Sequence, residues 1–394
     1  MTSAPVFYRE RRLPPYVFAE VNRLKLAQRK AGRDVIDFGM GNPDLPPAPH
    51  IIDKLKEVAA DPRAHRYSAS AGIPALRKAL TRYYERRFNV GLDADREVCV
   101  TLGSKEGLAN LAQAITAPGD VILAPDPSYP IHMFGFIIAG AAVRPITWEG
   151  PEQFLSDVAH ACRRSIPAPS ALVLNFPSNP TAQVVDLDFY RDAVALAKAH
   201  DLVLISDLAY SEIWFDGPPP PSILEVEGAQ DVAVEFTSVS KTYSMPGWRI
   251  GFAAGSQRLI DALKRVKSYL DYGAFTPVQV AAIAALDGPQ DNVEALRGIY
   301  KARRDVLVES FGRAGFHVPA PAATMFAWTP IPETWAHLGS VEFSKRLLEE
   351  TGVAVAPGLG FGEHGDGHVR LALVENEQRI RQAARALKPW FQNA

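Results

Sequence analysis

From about residue 95 onward, short apolar runs alternate with amphipathic stretches. Val98–Thr101, Val121–Leu123, Ala171–Leu174, Val203–Ser206, Val232–Phe236 and Ile250–Ala253 are expected strands. Helices are expected between them at Lys105–Ile115, Tyr129–Ile138 and about Asp188–His200. The runs are apolar at successive positions, not at every second one, as in strands covered on both faces. The pattern predicts an α/β fold around a mostly parallel sheet.

The C-terminal third changes character. Helical spacing dominates Asp261–Phe311, short strands are expected near Met325–Trp328, Val353–Val355 and Val369–Leu371, and a last amphipathic helix starts near Glu375. Residues 1–45 hold a helix and the loop Gly39–Pro43 and do not start the sheet. A chain of 394 residues exceeds what one core usually holds. The expectation is a large domain at 46–285 and a small α+β domain made of 1–45 and 286–394.

Composition narrows the function classes. A net charge of −2 offers no basic excess for nucleic acid or an anionic membrane. The richest apolar run, Ile131–Val143, is interrupted by His132 and two glycines and reads as a buried helix entering a strand. The N-terminus shows no secretory leader. Cys99 and Cys162 lie in apolar-periodic stretches and are expected as buried thiols in a reducing, cytoplasmic compartment. The histidines lack metal-ligand spacing, so no metal is expected. His364 and His368 fall in a Gly-rich loop and are expected to be solvated. Pro218–Pro221 reads as a rigid surface loop.

Four segments at the ends of expected strands carry candidate chemistry. Lys241, in Ser238-Val239-Ser240-Lys241-Thr242, suits a Schiff base if the pocket desolvates its amine, and Arg249 nearby could supply a cation and grip a phosphate. Asp207 closes an apolar strand where ligands bind in α/β sheets, and could hold a ring nitrogen protonated. Asn179, in Pro177-Ser178-Asn179-Pro180, could donate to a phenolate. Gly103-Ser104-Lys105 opens a helix and could cradle a phosphate. Each has a plain alternative: a surface lysine, a helix-capping aspartate, an ordinary turn, an N-cap serine. Four complementary parts in one sheet favour the chemical reading.

These residues resemble the class I/II aminotransferases of the fold-type I pyridoxal-phosphate superfamily, over nearly the whole chain from Leu13. Leu13–Phe18, Met40–Asp44, Gly103–Leu108, Asp207–Tyr210 and Asp271–Pro277 read like the bacterial alanine (glutamate–pyruvate) aminotransferases. LL-diaminopimelate aminotransferases share much of the pattern. The resemblance implies pyridoxal 5'-phosphate as cofactor, condensed with Lys241. Asp207 would pair with its ring nitrogen, Asn179 and Tyr210 would bind its phenolic oxygen, and Tyr129 would stack on its ring. Ser104, the Lys105 backbone, Ser238, Ser240 and Arg249 would hold its phosphate, with Tyr67 reaching the phosphate of a neighbouring subunit in a homodimer. Arg370 would bind the substrate carboxylate as a fork, and Tyr16 and Gly41, with Asn179, would line the substrate pocket. The implied reaction moves an amino group from L-alanine to 2-oxoglutarate.

Two positions depart from the family pattern. Ala182 stands where glycine is commoner, and no second arginine for a distal carboxylate can be placed. Other reactions on the same fold remain open: LL-diaminopimelate, methionine or another amino-acid transamination, or carbon–sulfur lysis. A cofactor-binding regulator would need a DNA-binding segment ahead of Leu13. A nicotinamide dehydrogenase is disfavoured because Gly39-Met40-Gly41 lacks a third glycine and runs into Asn42-Pro43.

Overall fold

A computed structural model describes residues 7–392. Residues 1–6 and 393–394, which include the segment expected to lack a secretory leader and the ends of the expected small domain, lie outside the described residues.

The first strand, β1 (Ile36–Asp37), stays out of the main sheet. The main sheet takes β2 (Val98–Thr101), β3 (Val121–Asp126), β4 (Ala142–Thr147), β5 (Pro169–Leu174), β6 (Val203–Asp207), β7 (Ala233–Ser238) and β8 (Gly251–Gly255), in the order β2-β8-β7-β6-β5-β3-β4. Strand β8 runs antiparallel to both its neighbours, and the remaining pairings are parallel. The sheet is therefore mostly parallel, as expected from the apolar runs.

Alternate residues of these strands enter different cores. Leu172, Leu174 and Leu204 face a layer containing Phe189, Tyr190 and Ala193 of helix Leu187–Ala199. Ala171, Val173 and Ile205 face the opposite layer, with Leu108 and Leu111 of helix Ser104–Ile115 and Leu259 and Leu263 of helix Gln257–Leu270. The period of two in a strand, with helices on both sides, makes three layers. The edge strand β4 exposes Ala142, Arg144 and Pro145 and so lacks the continuous apolar run of the inner strands. Helix starts follow local rules. Asp186 accepts from the Phe189 amide at the start of Leu187–Ala199, and proline opens helices Pro49–Ala59, Pro74–Phe88 and Pro151–Arg164.

The remaining strands are β9 (Phe326–Pro330), β10 (Val353–Ala354), β11 (Ala356–Pro357) and β12 (His368–Ala372). They form a three-stranded antiparallel sheet, β11-β12-β9, and a parallel pair, β1-β10. A separate core gathers Ile36, Phe38, Phe311, Phe316, Phe326, Leu371, Ile380 and Leu387 around them. Helix Asp291–Arg313 spans both regions: Val293 packs in the first core, and Tyr300, Leu307 and Phe311 in the second. We propose that the two cores mark a large domain at 46–285 and a small one made of 1–45 and 286–394.

Some expectations need correction. His368 is not in a solvated loop: it opens β12 and stacks on Trp328, with ring centres 5.1 Å apart. His364 is exposed, as expected, but also paired, its Nδ1 2.7 Å from Asp126 Oδ2. Cys99 is buried, but Cys162 is only partly so. In the proline run Pro220 is buried, and its carbonyl accepts from Arg87. None of the described helices is long and apolar enough to cross a membrane.

Candidate active site

One edge of the main sheet collects the candidate residues. The parallel strands end there, at Thr101, Asp126, Leu174, Asp207 and Ser238, and antiparallel β8 begins there, just after Arg249. Ligands bind beyond the carboxyl ends of such strands because the loops there carry free backbone and side-chain groups. A cavity of about 400 Å³ lies at this edge and is closed on its other side by β12 and the loop before residue 45. Tyr16, Gly41, Ser104, Lys105, Tyr129, Asn179, Asp207, Tyr210, Ser238, Ser240, Lys241, Arg249 and Arg370 all line it. Tyr67 does not; it is 86% exposed and packs against Tyr272, ring centres 4.8 Å apart and planes tilted by 38°.

The first wall is a cluster of donors. Ser104 opens helix Ser104–Ile115 after Gly103, whose φ is 86°. A Cβ at Gly103 would collide with the Arg249 guanidinium, so glycine there allows the cation to sit over the helix start. Arg249 is held by the carbonyls of Pro246 (2.7 Å) and Leu102 (3.0 Å). Ser238 Oγ accepts from the Ser240 amide at 3.0 Å and lies 2.7 Å from Ser240 Oγ. Lys105 Nζ lies 5.7 Å from the centre of the Tyr129 ring. Free amides at a helix N-terminus, hydroxyls and a guanidinium together suit a phosphate.

Opposite them are two cations. Lys241 stands on the helical turn that follows β7, and its Nζ donates to the Gly41 carbonyl at 2.8 Å. Burial, then the charges of Arg370 and Arg249, pull its pKa down to about 8. Arg370 of β12 is buried. Its Nη1 donates to Asn179 Oδ1 at 2.7 Å and its Nη2 to the Gly39 carbonyl at 3.3 Å, while its Nε has no partner. Its guanidinium lies 4.0 Å from the Phe326 ring centre and 4.6 Å from that of Phe361. Burial brings its pKa to about 10, so it keeps its charge at neutral pH. Among the described residues it pairs with no carboxylate, an arrangement that favours an incoming carboxylate with fork geometry.

The floor is an acid. Asp207 Oδ2 lies 2.8 Å from His132 Nε2, and His132 Nδ1 lies 3.1 Å from Ser128 Oγ. Asn175 donates to the Asp207 carbonyl (2.8 Å) and accepts from the Asn179 amide (2.9 Å), linking the two strand ends. Tyr129 and Tyr210 are raised above the ordinary phenol range, chiefly by burial, and stay protonated donors. The substrate-side loop is fixed from behind: Arg303 of helix Asp291–Arg313 forks onto Asp44 at 2.7 and 2.8 Å. A Cβ at Gly41 would come within 2.6 Å of the Phe326 ring, so glycine lets that loop close on the cavity.

Sequence reasoning missed His132, Asn175 and the Gly39 and Gly41 carbonyls. His132 had one signal, a lone polar residue inside the richest apolar run. Asn175 sits one place past an expected strand. The carbonyls belong to the backbone and have no residue-type signal at all.

Comparisons with known proteins agree with this geometry. Residues 33–387 match the family Aminotransferase class I and II. AatC of Rhizobium meliloti, described as an aminotransferase, is 65% identical over 388 residues, covering 98% of this chain and 96% of the relative. The glutamate-pyruvate aminotransferase AlaC of Escherichia coli is 53% identical, covering 98% and 93%. An LL-diaminopimelate aminotransferase of Moorella thermoacetica is 41% identical, covering 96% and 97%. Among solved structures, substrate-bound BacF from Bacillus subtilis superposes with a TM-score of 0.93 at 33% identity, covering 98% of each chain. With the sheet edge, the buried arginine and the strand-end lysine and aspartate in one cavity, the chain belongs to the class I and II aminotransferases.

Proposed function

We propose that the protein uses pyridoxal 5'-phosphate to move an amino group between L-alanine and 2-oxoglutarate. The observation that carries this is Arg370, a buried guanidinium without a carboxylate partner among the described residues, in the same cavity as a lysine whose pKa is brought to about 8. The preference for alanine rests on similarity to the Escherichia coli glutamate-pyruvate enzyme, at 53% identity against 41% for the Moorella enzyme.

The donor set fits the cofactor. Ser104, the Lys105 amide, Ser238, Ser240 and Arg249 would hold its phosphate. Asn179 turns its Oδ1 to Arg370, which leaves Nδ2 to donate to the phenolic oxygen beside Tyr210. Tyr129 would cover the ring, and Asp207 would meet its nitrogen with His132 fixing the carboxylate from behind. Bound there, the cofactor supplies an aldehyde for an amine and a ring that accepts the electron pair left at the substrate Cα.

The chain's own groups do the rest. Arg370 holds the substrate carboxylate by two N–H bonds, which fixes the direction of the Cα–H bond. Lys241 Nζ, with its pKa near 8, is available as a neutral amine and takes the Cα proton, then returns it at the neighbouring carbon. Asp207, held from behind by His132, would meet the ring nitrogen and hold a proton there. Two half-reactions share one site, so the kinetics are ping-pong. We further propose a homodimer in which Tyr67 serves the neighbouring site; its exposure and its pairing with Tyr272 support this. The free cysteines support a cytoplasmic setting.

Absorbance spectroscopy tests the reading. Protein loaded with pyridoxal phosphate is mixed with L-alanine and no oxo acid. Loss of the lysine–cofactor band with one equivalent of pyruvate, and its return on adding 2-oxoglutarate, is expected. A band that ignores L-alanine but responds to LL-diaminopimelate or methionine replaces the donor. Ammonia with an elimination product makes the protein a lyase. Absence of any cofactor band overturns the role of Lys241.

A further inference from the structure

Lys267 lies on helix Gln257–Leu270, outside the cavity lining, with no exposed surface. Its Nζ donates to Glu106 Oε1 and Asp271 Oδ2, each at 2.8 Å. Burial pulls its pKa down, but the two carboxylates outweigh burial and leave it raised, so it is an ammonium at neutral pH.

Each carboxylate has a second task. Glu106 Oε2 accepts from the Leu102 amide at 2.8 Å, and the Leu102 carbonyl accepts from Arg249 Nη2 at 3.0 Å. Glu106 thus holds the backbone of Leu102 on one side while the next peptide's carbonyl aims Arg249. Asp271 Oδ1 accepts from the Gly273 amide at 2.6 Å. That turn presses against the backbone of Ala69 and carries Tyr272, whose ring packs on Tyr67.

We infer that Lys267 is a positioning residue that sets both halves of the phosphate grip: Arg249 within its own subunit and the Tyr67–Tyr272 pair that faces a second copy. The inference rests on the cofactor and dimer reading above. Without the ammonium, Glu106 and Asp271 are two part-buried carboxylates that have lost their shared donor, and each is free to turn toward solvent. Either movement releases a phosphate contact while leaving Lys241, Asp207 and Arg370 in place.

The test measures affinity for pyridoxal phosphate by absorbance and for inorganic phosphate by calorimetry, on cofactor-free Lys267→Met, Lys267→Arg, Glu106→Gln and Asp271→Asn proteins. Lys267→Met is expected to weaken both ligands at least tenfold, with Lys267→Arg recovering most of the loss. Glu106→Gln and Asp271→Asn each give part of it. Val158→Ala, which removes a buried side chain on helix Pro151–Arg164 away from the cavity lining, controls for stability and is expected to keep both affinities. A folded Lys267→Met protein with both affinities within twofold of the parent overturns the inference, as does an equal loss in Val158→Ala. Should Lys267→Met fail to fold, unchanged affinities in both carboxylate variants overturn it. A parent protein that binds inorganic phosphate but not pyridoxal phosphate sinks the cofactor reading, and the phosphate data then decide Lys267 alone.

Discussion

Lys241 and Lys267 are the same residue in opposite electrostatic settings. Lys267 is enclosed and meets two carboxylates, and its charge is held. Lys241 meets one carbonyl and has two guanidinium groups nearby, and its charge is discouraged. The first arrangement builds a scaffold; the second leaves an amine able to give up a proton near neutral pH. Arg370 belongs with Lys241: it too lacks a counter-ion among the described residues and is placed to receive one from substrate.

The strongest way to break this contrast is Lys241→Met. Turnover is expected to fall by at least about 10³-fold, since no other amine lines the cavity at that place, measured as pyruvate release. The same change should stabilise the cofactor-free protein. A lysine pKa of about 8, below the ordinary 10.5, means the charged form costs the folded state. That cost is complete below about pH 8 and fades as pH rises toward 10.5. Denaturant titration at pH 7 should therefore show Lys241→Met more stable by about 2–3 kcal/mol, with the gap closing by pH 10.5. A gap that widens with pH would contradict the assignment.

Next in size is Arg370→Lys. It keeps the charge but loses the planar fork and the bond to Asn179, so kcat/KM for L-alanine should drop about 100-fold in steady-state assays. His132→Asn removes the support behind Asp207 while leaving Asp207 in place. Roughly a tenfold fall in kcat is expected, with little change in KM. At the small end, Glu309→Ala breaks an exposed pair with Arg313 on helix Asp291–Arg313, and thermal unfolding should stay within about 1 °C. A large shift there would mean that pairing on the surface matters as much as pairing inside.

The sequence made the three-layer sheet legible because strands covered on both faces leave unbroken apolar runs, as at Ala171–Leu174 and Val203–Ser206. Only the start of strand β4 is legible, at the end of the Ile131–Val143 run, because the strand lies at an edge and carries Arg144 and Pro145. Helices Pro49–Ala59 and Pro74–Phe88 precede the alternating stretch, and their clearest signal is proline in the first turn. Site residues at strand ends were legible because topology brings all those ends to one edge. His132 was not, since its partner is 75 positions away. Lys267 reads as a polar position on an amphipathic helix; only folding brings Glu106 to it across 161 positions.

Helix Asp291–Arg313 has a mechanical consequence. Its 23 residues make a rod of roughly 34 Å. One end is anchored by Val293 and the far end by Phe311, with Arg303 gripping Asp44 about midway. A tilt of about 5° at the anchored end would carry the far end through roughly 3 Å, the span of a hydrogen bond. Through Arg303, the loop bearing the Gly39 and Gly41 carbonyls would travel about half as far. The rod is thus a lever with its load at the cavity mouth, and its gearing turns a few degrees of rotation into the making or breaking of single contacts.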